Sequence, residues 1–239
     1  MFKYSALLAS LLGLFTALPA QAAVVTLSGS TVDYTFNDSL LGLFGTPSIT
    51  GNTLYFTPTT FSAQSSNGMG FTLTNSTLNI QVSAKPGYVF NGVGLKEHGD
   101  YLLLGGKTHV YVTGQLRVFS QSHPLAYLTD SITPTSPMNI KGYPTHNWNA
   151  VAGINLTEYP SYFSNSPINV TIENLLTANT LKDGTLAFIE KKFVGLDVVT
   201  APVPEVNDWL LMLVGLGLVG LQMRRRTRAD GGKHVQPGA

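Results

Sequence analysis

Period-two alternation of apolar and polar residues runs through the middle of the chain. In "TLNIQVS", Leu78, Ile80 and Val82 fall on one face, with Asn79, Gln81 and Ser83 on the other. "THVYVTGQLRV" sends Val110, Val112, Leu116 and Val118 inward and Thr113, Gln115 and Arg117 outward. "INVTIEN" does the same with Ile168, Val170 and Ile172, and "TVDYTFN", "TLYFT", "TLAFIE" and "FVGLDVV" are shorter versions. Alternation carried by β-branched and aromatic residues marks half-buried strands. Clusters such as "GTPSITGN" and "SSNGMG" punctuate them at short spacing. Helix-period patterns are confined to the two ends. The pattern predicts an all-β fold, a single antiparallel β-sandwich, with a jelly roll as the close alternative.

Two stretches break the rhythm. From Gln121 to Ser166 the chain is rich in proline and aromatics, as in "TPTSPMNIKGYPTHNWNA" and "TEYPSYFSNSP". Long loops inside a compact domain are usually functional or mobile; Trp148 and "VAGINL" are expected on a strand flanked by them. In "LKEHGDYL", Glu97, His98 and Asp100 lie together, and pairing of Asp100–Leu104 with Thr108–Val118 across "GGK" would bring His109 near. An acid-plus-His cluster can hold a divalent metal, but His-Gly-Asp is the chemistry of a turn. The expectation is a turn, with His98 solvated, His109 on a polar strand face, and no metal site.

The N-terminus reads "MFKYSALLASLLGLFTALPAQAAVV". Lys3, an apolar core from Ala6 to Leu18 and the small-x-small site at Ala20 and Ala22 make a Sec-type signal peptide over residues 1–22. The core is shorter than the roughly 20 residues of a membrane-spanning helix. Cleavage after Ala22 would leave Ala23 as the mature N-terminus, so the Sec translocase and signal peptidase are the first expected partners.

At the other end, "VPEVNDWLLMLVGLGLVGLQMRRR" joins Pro204 and Glu205 to an apolar run from Trp209 to Met223 and a basic cluster at Arg224, Arg225, Arg226 and Arg228. As a helix the run spans roughly 22 Å, against a hydrocarbon core of roughly 30 Å. Trp209 would sit at one interface and the arginines would stay cytoplasmic. These features predict a single-pass transmembrane helix over 209–223 of marginal length, and then a polar tail over 229–239.

The order Pro-Glu, Trp, apolar helix, Gly-x-Gly-Leu-Val-Gly, Met-Arg-Arg-Arg resembles a PEP-CTERM sorting signal over residues 204–228, in the variant whose motif reads Pro-Glu-Pro-x-x-Trp. Pro204, Glu205, Trp209, Gly215, Gly217, Gly220 and Arg224 to Arg226 match it in register. Val206 stands where the family has its second proline, and the chain runs on as "TRADGGKHVQPGA". The resemblance implies an exported protein of a Gram-negative bacterium. It implies that an exosortase, a membrane-embedded cysteine transpeptidase, cuts near Pro-Glu and passes the chain to the cell surface or matrix. The inner membrane is then a transient stop, and the setting is exopolysaccharide and biofilm.

Between the ends, residues 23–203 are long enough for one domain with a sizeable core. They carry eight Lys or Arg against ten Asp or Glu, a net charge of −2. No basic patch remains for nucleic acid. Cysteine is absent, which removes disulfides, thiol chemistry and cysteine-based zinc sites. No nucleophile elbow, paired-carboxylate signature or calcium loop is present, so the expectation is a non-catalytic protein without a cofactor. The alternative is a glycan-binding module, in which Tyr143, Trp148, Tyr159 and Tyr162 stack on sugar faces. Against it, Trp148 reads as core and the tyrosines as loop anchors. A hydrolase is the third reading.

Overall fold

In the computed structural model, residues 23–164, 167–203 and 206–230 are described, with 206–209 and 223–230 described by backbone alone. The expected signal peptide, Pro204, Glu205 and residues 231–239 of the expected tail over 229–239 lie outside the described residues. In chain order the strands are β1 (Val24–Ser28), β2 (Val32–Asn37), β3 (Pro47–Thr50), β4 (Thr53–Phe56), β5 (Ser62–Ser66), β6 (Gly70–Ala84), β7 (Tyr88–Leu104), β8 (Thr108–Ser120), β9 (Tyr127–Ser131), β10 (Thr133–Pro134), β11 (His146–Asn155), β12 (Ile168–Thr180) and β13 (Leu186–Pro202). A short helix α1 (Pro160–Phe163) precedes β12, and α2 (Val206–Asp230) follows β13.

Two antiparallel sheets face each other. One runs β1-β2-β6-β12-β8-β9; the other runs β10-β11-β7-β13-β4-β3, with β5 also pairing with β13. Inward positions of both sheets interdigitate in one core, as face-to-face packing requires. Val32, Tyr34, Leu78, Ile80, Leu116, Val170 and Ile172 line one sheet, and Val93, Leu95, Ile189, Val194 and Leu196 line the other. Tyr34 is buried with its hydroxyl donating to the Asn52 carbonyl, and burial beside Asp197 pushes its ionisation well above the ordinary range. The all-β expectation holds, and the quoted runs coincide with β2, β4, β6, β8, β12 and β13.

"TLAFIE" and "FVGLDVV" turn out to be one strand. Lys191 pairs with Gly99 and Phe193 with His98, so Lys192 is an extra residue in β13. Such a bulge shifts the alternation by one: Ala187, Ile189 and Lys191 point inward before it, and Val194, Leu196 and Val198 after it. Outside, the bulged Lys192 pairs with Asp100 and with Glu190 at 3.0 Å.

Three expectations need correction. "LKEHGDYL" is not a turn but the middle of β7, paired on both sides with β11 and β13. β7 and β8 do not form a hairpin: residues 105–107 carry the chain from one sheet to the other. Trp148 and most of "VAGINL" lie on one strand as expected, β11, but the flanks between Gln121 and Ser166 are not loops alone, since they also contain β9, β10 and α1. Residues 209–223 are helical within α2; no helix among the described residues is long and apolar enough to cross a membrane.

Candidate functional site

Three polar side chains occupy inward positions at the centre of the sandwich. Glu97 on β7 follows Val93 and Leu95 in phase, Asn174 on β12 follows Val170 and Ile172, and Lys191 on β13 follows Ala187 and Ile189. All three are buried, the Glu97 and Lys191 side chains completely. They meet across the gap between the sheets. Asn174 Nδ2 donates to Glu97 Oε1 at 2.7 Å. Lys191 Nζ donates to Glu97 Oε2 and to Asn174 Oδ1. The carboxylate therefore touches both nitrogens, one with each oxygen.

The surroundings are apolar and aromatic. Lys191 Nζ lies 5.5 Å from the ring centre of Phe61 and 5.5 Å from that of Trp148, which favours a cation over their faces. Burial nevertheless pushes the Lys191 amine below its usual range, with Glu97 opposing that shift. Gly99 makes the arrangement possible. It lies in register between Trp148 and Lys191, and a Cβ there would sit 1.9 Å from Glu190 O and 2.9 Å from Trp148 Cζ2. Without a side chain at 99, the indole lies across β7 and its Nε1 donates to Glu190 O at 3.0 Å.

Sequence reasoning named Glu97 only as a neighbour of His98 and missed Asn174 and Lys191. The available signal was phase: each is a polar residue at the inward position of an otherwise apolar alternation. Strand geometry sends Glu97 inward and His98 outward. His98 is exposed and stacks on Phe193 at 4.7 Å, while His109 is exposed and stacks on Tyr111 at 6.3 Å. Among the described residues, no three His, Cys, Asp or Glu side chains converge as metal ligands would.

The proposed sugar-stacking residues separate. Trp148 is 1% exposed, so its ring is core and offers no face to a ligand. Tyr159 and Tyr162 are exposed and line an apolar groove of about 660 Å³ with His123, Leu125 and Tyr127. His123 meets the Tyr162 ring edge-on at 5.2 Å. Tyr143 is exposed but does not line that groove.

Of the sorting residues, Trp209, Arg224, Arg225 and Arg226 lie on α2, whose side chains from 210 to 222 are exposed around the whole circumference. Ala23, the expected mature N-terminus, accepts a hydrogen bond from Asp38 N at 3.1 Å. No family model matches the chain, and no curated protein matches it.

Proposed function

We propose that this chain is an exported protein of a Gram-negative bacterium that an exosortase sorts to the cell surface or extracellular matrix. There its β-sandwich serves as a non-catalytic structural component associated with exopolysaccharide and biofilm. The observation that carries this reading is α2. Its leucines, valines and methionine from 210 to 222 are exposed on every face instead of packing on the sandwich. A helix apolar all round is made for an apolar environment, and this one is joined to β13 by the segment that holds Pro204 and Glu205. Such a helix is a handle for a membrane-embedded enzyme at the inner membrane, separable from the folded domain.

The test is the intact mass of the protein from native membranes and from the extracellular fraction. The extracellular form is expected to end near Glu205, and Trp209→Ala to accumulate the longer precursor. A mass extending to Ala239, confined to membranes in wild type, would sink the sorting hypothesis.

The second reading, a glycan-binding module, rests on the groove beside α1. Tyr127, Tyr159 and Tyr162 supply ring faces there, suited to the apolar faces of sugars. Saturable retention on the producer's purified exopolysaccharide is then expected, weakened at least tenfold by Tyr159→Ala with Tyr162→Ala. Equal retention by wild type and variant would remove the groove from consideration.

A further inference from the structure

We infer that Lys191 and Asn174 are joined by an isopeptide bond that the folded domain makes in itself, with Glu97 as the proton carrier. The site holds a nucleophile, an electrophile and an acid-base group, and nothing else polar is needed. Lys191 Nζ contacts the Asn174 side-chain amide through Oδ1, while Glu97 bridges the two nitrogens with one oxygen each. Neighbours held in this way react as an intramolecular pair with a high effective concentration. Burial of all three excludes water, which would otherwise compete as nucleophile.

The step balances without an oxidant or a cofactor. Glu97 Oε2 takes one proton from the Lys191 ammonium, leaving a neutral amine. That Nζ attacks Asn174 Cγ, and a tetrahedral centre forms. A second proton passes from Nζ to Nδ2 through the Glu97 carboxyl. The Cγ–Nδ2 bond then breaks and ammonia departs. What remains is a secondary amide between β12 and β13 and a protonated Glu97. Two buried charges have become none.

That neutralisation gives the reaction its direction. A buried ion pair keeps much of its desolvation cost, whereas a neutral amide and a carboxylic acid can satisfy each other by hydrogen bonding. Burial already favours the uncharged Lys191 amine, which is the reactive form. The bond would also tie one sheet to the other, since β12 and β13 belong to different sheets. In a chain without cysteine, no disulfide could do this. The reaction is a single event per molecule, so it makes the domain its own substrate and confers no turnover.

The full-length chain, purified folded and then denatured and digested with trypsin, tests the bond by tandem mass spectrometry. The expected product is a branched species joining peptide 142–182 to peptide 183–192, uncut after Lys191 and lighter by about 17 Da, the mass of one ammonia. Succinimide at Asn67-Gly68 or Asn91-Gly92 loses the same mass but joins no peptides. Linear peptides from folded wild type, cut after Lys191 and with Asn174 intact, would overturn the proposal. Asn174→Ala should abolish the branched species and lower the melting temperature by roughly 10 °C. Glu97→Gln should leave the peptides linear; full cross-linking in that variant would overturn the role of the carboxylate. The wild-type digest decides the bond even if neither variant folds.

Discussion

Alanine at Gly99 is expected to cost at least ~3 kcal/mol of folding stability, at or beyond the upper range for overpacking a core. The added methyl would meet Glu190 O at 1.9 Å and Trp148 Cζ2 at 2.9 Å. Neither neighbour can retreat. Glu190 O belongs to the strand next to β7 and accepts the indole N–H, and the indole fills the space beside Lys191. A shift of β7 away from β13 would break the ladder on one side and press on β11 on the other. Gly94→Ala is the control on the same strand, because nothing lies within 4 Å of its Cβ position; it should change stability by no more than about 0.5 kcal/mol. Urea unfolding of both variants measures the contrast. Equal effects would mean that the close passage at Gly99 is not what makes glycine necessary there.

Glu97→Ala is expected to be the most damaging change in the buried triad, by about 3–5 kcal/mol. It removes the counter-charge of Lys191 and the acceptor for Asn174 Nδ2 together. Lys191 must then be buried as an unpaired cation or give up its proton on folding, with only the Phe61 and Trp148 faces and one amide oxygen beside it. Replacing both charged partners, as Glu97→Leu with Lys191→Met, should give a more stable protein than Glu97→Ala alone. The asymmetry follows from desolvation: an unpaired buried charge is worse than no charge. Denaturant midpoints decide this, and a double variant weaker than the single one would contradict it.

Much of the sandwich was legible because period two is a local property. Leu78, Ile80 and Val82, or Val110 and Val112, declare their face without reference to any other strand. Two features needed tertiary context. His-Gly-Asp has turn chemistry, yet Gly99 serves a close passage under Trp148, and Asp100 receives Lys192 from the bulge of β13. "GGK" suits a hairpin equally well as a change of sheet, and the choice is made by which partners β7 and β8 find elsewhere. The bulge itself was written in the sequence as a change of phase between Ile189 and Val194, which split one strand into two apparent ones. The triad lay further out of reach. Glu97, Asn174 and Lys191 come from three strands, and only the register of two sheets brings them to one point. For the exposed residues the sequence spoke in part: it favoured the core for Trp148, where the fold places it, but could not group Tyr127 with Tyr159 and Tyr162.

β13 has a mechanical meaning beyond its place in the core. A pull on the C-terminal end of the domain enters at Pro202, along the axis of a strand held by β7 from Leu186 to Pro202 and by β4 and β5 on its other edge. Load on such a strand is carried in shear, with many ladder bonds resisting at once, rather than one at a time as in peeling. The bulge at Lys192 divides β13 into an outer segment that meets the load first and an inner one behind it. With Lys191 joined to Asn174, a tug that extracts the outer segment would stop at the bulge, and tension would pass through a covalent bond into the opposite sheet.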